Sequence, residues 1–140
     1  MLAELFQVED TARDMATKLM RTAKESKSAA AGERESLLAF LRGPLERHMA
    51  YEEATLFPAL RTHGLASEVQ VAQKQHQSIR LAADKLADLP ADADAAQLIF
   101  DTARLLVHHT NFEGDYIYPE LTHAEWRELI KGTLASGVAT

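Results

Sequence analysis

The chain has 140 residues, a net charge of −6 and no cysteine. That length can bury a real core in one domain spanning residues 1–140. The charge, with no Lys/Arg cluster, argues against nucleic acid or an anionic membrane as partner. The absence of cysteine excludes disulfides, thiolate zinc sites and iron–sulfur clusters, and it fits a reducing compartment. The first ten residues lack a basic stretch followed by a sustained apolar run. Neither a signal peptide nor a membrane span is expected, and the cytoplasm is the expected location.

In chain order, the pattern predicts helices throughout and no strand. The first helix is expected from about Leu2 to Lys24, with Leu2, Leu5, Phe6, Ala12, Ala16, Leu19 and Ala23 in steps of three and four. Glu9 falls inside that stripe. The stretch from Ser26 to Gly32 reads as a loop. The second helix is expected from about Glu33 to Leu60, kinked or broken at Gly43-Pro44, where proline removes a backbone bond and clashes one turn back. Its inward positions after the kink are Leu45, His48, Glu52, Thr55, Leu56 and Ala59. Gly64 is placed to end it.

The third helix is expected from about Leu65 to Leu89, with Leu65, Val69, Ala72, His76, Ile79, Ala83 and Leu86 inward, and Pro90 stopping it. Asp92 and Asp94 offer caps to the fourth, from about Ala95 to Pro119, lined by Leu98, Leu105, His109, Phe112, Glu113 and Tyr116. A short fifth helix opens with the capping box Thr122 to Glu125 and carries Trp126, Leu129, Ile130 and Leu134 on its apolar face. The tail from Ser136 to Thr140 is expected to fray. The expected fold is all-α: an up-down-up-down antiparallel four-helix bundle with a short C-terminal fifth helix.

One segment occurs twice. The stretch from His48 to Leu60 is matched sixty-one residues later by that from His109 to Leu121. His48 matches His109, Tyr51 matches Phe112, Glu52 matches Glu113, Phe57-Pro58 matches Tyr118-Pro119, and Leu60 matches Leu121. In each copy a His and a Glu lie four residues apart, on one face of a helix, where they can grip one ion. Two such copies predict two similar helices facing each other across a metal site.

Glu9, His48, Glu52, His76, His109 and Glu113 all fall on inward stripes. A lone His on an apolar face is ordinarily a satisfied core histidine, and a single His-xxx-Glu is common on any helix. Three unpaired carboxylates in one core would be severely costly, however, and two divalent ions would offset their charge. Mixed imidazole and carboxylate ligation suits iron, manganese or zinc. His108, about 100° around the helix from His109, is the alternative ligand to it. His63 and His123 read as solvent or capping groups, Glu53 as a surface group, and Tyr51, Phe112, Tyr116 and Tyr118 as packing. Without a ligand role, Glu9 would have to reach solvent or pair with Arg13, one turn on.

Along nearly its whole length the sequence resembles the hemerythrin-like, or HHE cation-binding, domains. The resemblance rests on His48-xxx-Glu52 with Phe57-Pro58, on His76, and on His109-xxx-Glu113 with Tyr118-Pro119. It implies a four-helix bundle holding two iron ions in a non-haem di-iron centre. Glu52 and Glu113 would be bridges, and His48, His76 and His109 terminal ligands. Some members space the last pair as His-xxxx-acid, which His108 and Glu113 would satisfy. The family normally places a histidine on the first helix, and this chain has none there. Aligning Ala16 to Leu19 with Ala83 to Leu86 sets Glu9 opposite His76. Oxygen-carrying members also have a second His one turn before that of the third helix, where this chain has Ala72. Both departures count against reversible oxygen carriage. Ferritin-like di-iron proteins use Glu-xx-His twice, whereas here Glu120 to His123 is the only such match. The zinc-protease motif His-Glu-xx-His is absent.

The resemblance implies either a protein that binds or reacts with oxygen, nitric oxide or peroxide, or a metal-responsive or metal-free structural and regulatory module without catalysis. Enzymatic activity is open between them. A sensor would need a separate protein partner, and a homodimer is the other assembly expected.

Overall fold

The computed structural model describes residues 2–90 and 93–135, the side chains of 2–4 and 132–135 aside. The expected Asp92 cap, the Leu2 and Leu134 side chains and the fraying tail lie outside the described residues. Among the described residues every regular element is helical, and no helix is long and apolar enough to cross a membrane.

Helix α1 runs Leu2–Glu25 and buries Leu5, Glu9, Ala12, Ala16 and Leu19 in an unbroken four-three pattern. Two small residues of that buried stripe, Ala12 and Ala16, allow a close approach to α7 (Ala96–Tyr116), its main packing partner. The loop expected at 26–32 is instead a short helix, α2 (Lys27–Gly32). Ser26 caps it, its hydroxyl accepting from the Ala29 amide at 3.2 Å, and the run Ala29-Ala30-Ala31 is strongly helix-forming.

The second predicted helix is divided at two places. Gly43 separates α3 (Arg34–Arg42) from α4 (Pro44–Tyr51). A Cβ at Gly43 would stand 2.9 Å from the Ala39 carbonyl oxygen, so a larger residue would force the joint open. The second division was not expected. Residues Glu52–Leu56 form a π turn, and α5 (Phe57–Thr62) follows. Pro58 has no N–H to give, and its ring would strike the carbonyl one α-turn back, at Ala54. Widening the helix relieves this: the Phe57 amide reaches the Glu52 carbonyl, five residues back. The extra residue shifts the inward register by one, so Leu60 is buried and not Ala59.

Gly64, at φ +97°, ends α5. The Leu65 amide donates to Leu60 O at 2.9 Å and Gly64 to Arg61 O at 3.1 Å, with Leu60 and Leu65 packed in one cluster. Helix α6 spans Ala66–Asp88 and buries every inward position expected of it. Asp94 accepts from the Ala96 amide at 3.0 Å at the start of α7. That helix stops at Tyr116, short of the expected Pro119, and a 3-10 turn covers Tyr118–Glu120. Leu105 and Tyr116, expected inward, are 36% and 57% exposed. The buried stripe is Ile99, Ala103, Leu106, Thr110, Glu113 and Ile117, adjacent to the one read from the sequence.

The capping box of α8 (His123–Ala135) forms as expected: Thr122 and Glu125 exchange side-chain bonds with each other's amides at 3.0 and 3.1 Å. Trp126 is buried and donates its indole N–H to Tyr118 O at 2.9 Å.

The core has two apolar clusters with a polar layer between them. One gathers Ala12, Ala16, Leu45, Met49, Ile79 and Leu106; the other gathers Leu5, Leu56, Phe57, Ala72, Ile117 and Trp126. Each fully buried Leu or Ile in them contributes roughly 1.5–3 kcal/mol relative to exposure. Successive long segments cross the polar layer in alternating order. Helix α1 passes from Leu5 through Glu9 to Ala12, and α4 with the π turn from Leu45 through His48 and Glu52 to Leu56. Helix α6 passes from Ala72 through His76 to Ile79, and α7 from Leu106 through His109 and Glu113 to Ile117.

Candidate metal centre

The polar layer contains the six inward residues read from the sequence. Glu9, His48, Glu52, His76, His109 and Glu113 are all buried, and their ligand atoms converge from α1, α4, the π turn, α6 and α7. Two overlapping groups form. Glu52, His76, His109 and Glu113 make one, and Glu9, His48, Glu52 and Glu113 the other; within each, the ligand atoms lie within 4.8 Å of one another. Glu52 and Glu113 belong to both.

The contacts are short, yet many lack hydrogen-bond alignment. His48 Nε2 lies 2.9 Å from Glu9 Oε1 and 3.2 Å from Glu52 Oε1. His109 Nε2 is 3.0 Å from Glu113 Oε1, and His76 Nε2 is 3.4 Å from Glu52 Oε1 and 3.7 Å from Glu113 Oε1. Glu9 Oε2, Glu52 Oε1, His76 Nε2, His109 Nε2 and Glu113 Oε1 are buried without a hydrogen-bond partner. Each such atom costs about 1–3 kcal/mol unless something else satisfies it. Lone pairs of imidazole and carboxylate crowded into one buried layer are what a cation satisfies, so the donor set fits metal ligation.

Electrostatics point the same way. Burial, then the charge of Glu113, pushes the carboxyls of Glu9 and Glu52 well above their ordinary value. Burial works on Glu113 in the same sense, but His109 and bonds from His109, His76 and Glu9 outweigh it and hold that carboxyl well below the usual range. Burial lowers His48 to about 4 against the pull of Glu113, so its imidazole is a neutral donor. Raised carboxyls at Glu9 and Glu52 beside the neutral imidazole of His48 form a site where metal competes with protons.

Hydrogen bonds from residues around the cluster orient its side chains, and most of these were not foreseen. Glu53, expected on the surface, accepts from His76 Nδ1 at 2.7 Å with 27% of its side chain exposed. Arg80 forks onto it, Nη1 to Oε2 at 2.8 Å and Nη2 to Oε1 at 3.0 Å. These bonds hold the Glu53 carboxyl below its ordinary value although partial burial opposes them. Gln75 Oε1 accepts from His109 Nδ1 at 2.8 Å. Tyr118, expected only to pack, also donates its hydroxyl to Glu113 Oε2 at 3.3 Å. The available signals were Arg80 one turn after His76, and Glu53 and Gln75 each next to an inward residue.

The remaining histidines stand apart. His108 is exposed and lines a surface groove with Gln75 and Asn111, while His109 faces the cluster. His63 ends α5, 3.8 Å from Glu125, and His123 begins α8 beside Phe6. Arg13 pairs with Asp10 at 3.1 Å, and the close partner of Glu9 is His48.

The family model described as the hemerythrin HHE cation binding domain matches residues 2–131. Neither the curated proteins nor the solved structures gave a match. With the matched region covering nearly the whole chain, this protein belongs to the hemerythrin family of HHE cation-binding domains.

Proposed function

We infer that the polar layer holds two iron ions and that the protein binds or reacts with a small oxidant, namely oxygen, nitric oxide or peroxide. The observation that carries this reading is the set of orphaned lone pairs at Glu9, Glu52, His76, His109 and Glu113, grouped about two positions. Glu52 and Glu113, common to both groups, take the role of bridges. His76 and His109 serve one ion, and Glu9 and His48 the other. The crossing order of the long segments between the two apolar clusters supports an up-down-up-down arrangement around the site.

Bound iron would supply a redox couple and an open coordination position. The protein residues set the conditions for that chemistry. The apolar clusters exclude water from both ends of the layer, which strengthens every charge interaction within it. Tyr118 holds a proton at Glu113 Oε2. Glu9 gives one half of the site three carboxylates and a single imidazole, whereas the other half has two of each. A hard anionic donor favours the ferric state, so this reading is redox chemistry or sensing in preference to reversible carriage. Ala72, fully buried one turn before His76, offers no further imidazole.

The test is metal analysis of freshly purified protein together with its near-ultraviolet spectrum with and without azide. Two irons per chain and an azide-sensitive band are expected. A colourless protein that takes up no iron, and whose melting temperature ignores added iron, manganese and zinc, overturns the reading. It would leave a metal-free regulatory module.

A further inference from the structure

Resting on that reading, we propose that Glu53 is a positioning residue which, clamped by an Arg80 that Glu46 also holds, fixes His76 with its Nε2 lone pair toward the metal layer and makes it the stronger of the paired imidazole donors. The two imidazoles of the first group differ in what stands behind them. His109 donates Nδ1–H to the neutral amide of Gln75, and His76 donates to the carboxylate of Glu53. An anion behind a ligating imidazole raises its basicity more than an amide can.

Glu53 is not free to turn away. Arg80 grips it through two bonds and grips Glu46 through two more, Nε to Oε1 and Nη2 to Oε2, each 2.8 Å. Glu46 is on α4, Glu53 in the π turn, and Arg80 lies one turn after His76 on α6. The clamp therefore ties the π turn to the ligand helix. Phe57 stacks on the face of the imidazole, ring centroids 5.4 Å apart at 22°. The π turn serves the site twice, through Glu52 in the cluster and Glu53 behind His76, and the first residue of α5, Phe57, packs against the His76 face.

The experiment separates geometry from charge. In the metal-free full-length chain, long-range proton–nitrogen NMR should show His76 as the Nδ1–H tautomer. Glu53→Gln keeps an acceptor and should keep that tautomer. Glu53→Leu keeps neither acceptor nor charge and should lose it. Cobalt(II) titration should then show one of two sites weakened about tenfold or more in Glu53→Gln, and the iron-loaded variant should have a higher reduction potential than the parent. Gln75→Glu places a carboxylate behind His109 and should shift both readouts the other way. If Glu53→Leu does not fold, Glu53→Gln and Gln75→Glu still decide the matter. The proposal is overturned if the parent lacks the Nδ1–H tautomer, or if Glu53→Gln binds cobalt and is reduced like the parent. A parent that shows the tautomer but binds no metal would sink the di-iron reading and leave the positioning of His76 intact.

Discussion

The segments from His48 to Leu60 and from His109 to Leu121 carry matched residues at matched spacing, and they end in opposite ways. In both, His and Glu sit one turn apart with their ligand atoms 3.2 and 3.0 Å from each other. Beyond the Glu the backbones part. The first copy widens into a π turn and continues as α5, with Pro58 in its first turn. The second stops at Tyr116 and passes Pro119 through a 3-10 turn. Proline poses one problem, a missing donor and a clash one turn back, and the neighbours choose the solution. In the first copy Phe57 and Leu60 are drawn into the core beside α6, so the helix persists. In the second, Ile117 and Leu121 are drawn under Trp126 of α8, so the helix ends.

The largest expected effect lies at the position where the copies diverge chemically, Phe57 against Tyr118. Phe57 is fully buried and stacked on His76. Phe57→Ala should cost about 3–5 kcal/mol of stability, read by denaturant unfolding of the metal-free chain so that metal linkage does not enter. A loss below about 1 kcal/mol would mean that the π turn repacks freely and its register is not held by Phe57.

Next come the histidines. His48→Ala and His109→Ala each remove a ligand atom from one group, so each should lose about half or more of the bound metal and melt lower, because metal binds only the folded form. His108→Ala should keep most of the metal, since that ring lies outside the cluster. Metal retained in His109→Ala and lost in His108→Ala would require α7 to turn in the loaded state. Glu9→Ala should empty the half shared with His48, and Glu9→His should keep both ions and raise the reduction potential. Unchanged metal content, spectrum and potential in Glu9→Ala would remove it from the ligand set.

Much of this was legible in the sequence because a helix face repeats. The step from Leu5 to Glu9 to Ala12 puts a carboxylate among apolar neighbours, and no other period explains it. The π turn was not legible, because a spacing pattern does not distinguish a four-residue turn from an occasional five-residue one, and one extra residue moved burial from Ala59 to Leu60. Helix α7 offers two adjacent apolar stripes, one through Leu105 and Tyr116 and one through Leu106 and Ile117. The packing of α1 and α6 against α7 decides between them. Glu53 reads as a surface group by its angle from Glu52; its partners, His76 and Arg80, come from a helix that local sequence does not place beside it.

The two copies also differ in protonation, and pH should expose it. Glu52 and Glu9 are raised by burial, while Glu113 at the equivalent position to Glu52 is lowered. A carboxyl raised in the folded state stabilises the metal-free protein below the unfolded value of 4.5 and loses that contribution as pH rises through the folded one. His48, lowered from 6.5 to about 4, stabilises above 6.5 and loses that contribution as pH falls toward its folded value. Metal binding competes with the raised proton affinity of Glu9 and Glu52. Apparent affinity should therefore rise with pH, by up to about tenfold per pH unit for each proton released. A pH-indicator dye during zinc titration should register acidification, reduced by about one proton in Glu9→Gln. No proton release, or a melting-temperature gain from zinc that shrinks as pH rises, would show that the carboxyls are already ionised.

The smallest effect belongs to Tyr118. Its ring packs edge-on against Phe6 at 4.9 Å and beside Trp126 at 5.4 Å, and its hydroxyl meets Glu113 Oε2. Burial, then the charge of Glu113, pushes the phenol well above its ordinary value, so it remains a donor. Tyr118→Phe keeps the ring and deletes one bond, so stability should fall by only about 1 kcal/mol. The bond does more at the site than in the core, because it holds Glu113 between His109 and the carboxyl of Glu9. Tyr118→Phe should therefore change the metal spectrum and the azide response out of proportion to its small stability loss. The matched position in the first copy makes the control: Phe57→Tyr adds a hydroxyl where the structure has only Phe57 packed flat on His76, and it should disturb stability more than spectrum. If both substitutions move stability and spectrum in the same proportion, the two ends of the repeat do the same work and the divergence between them is packing alone.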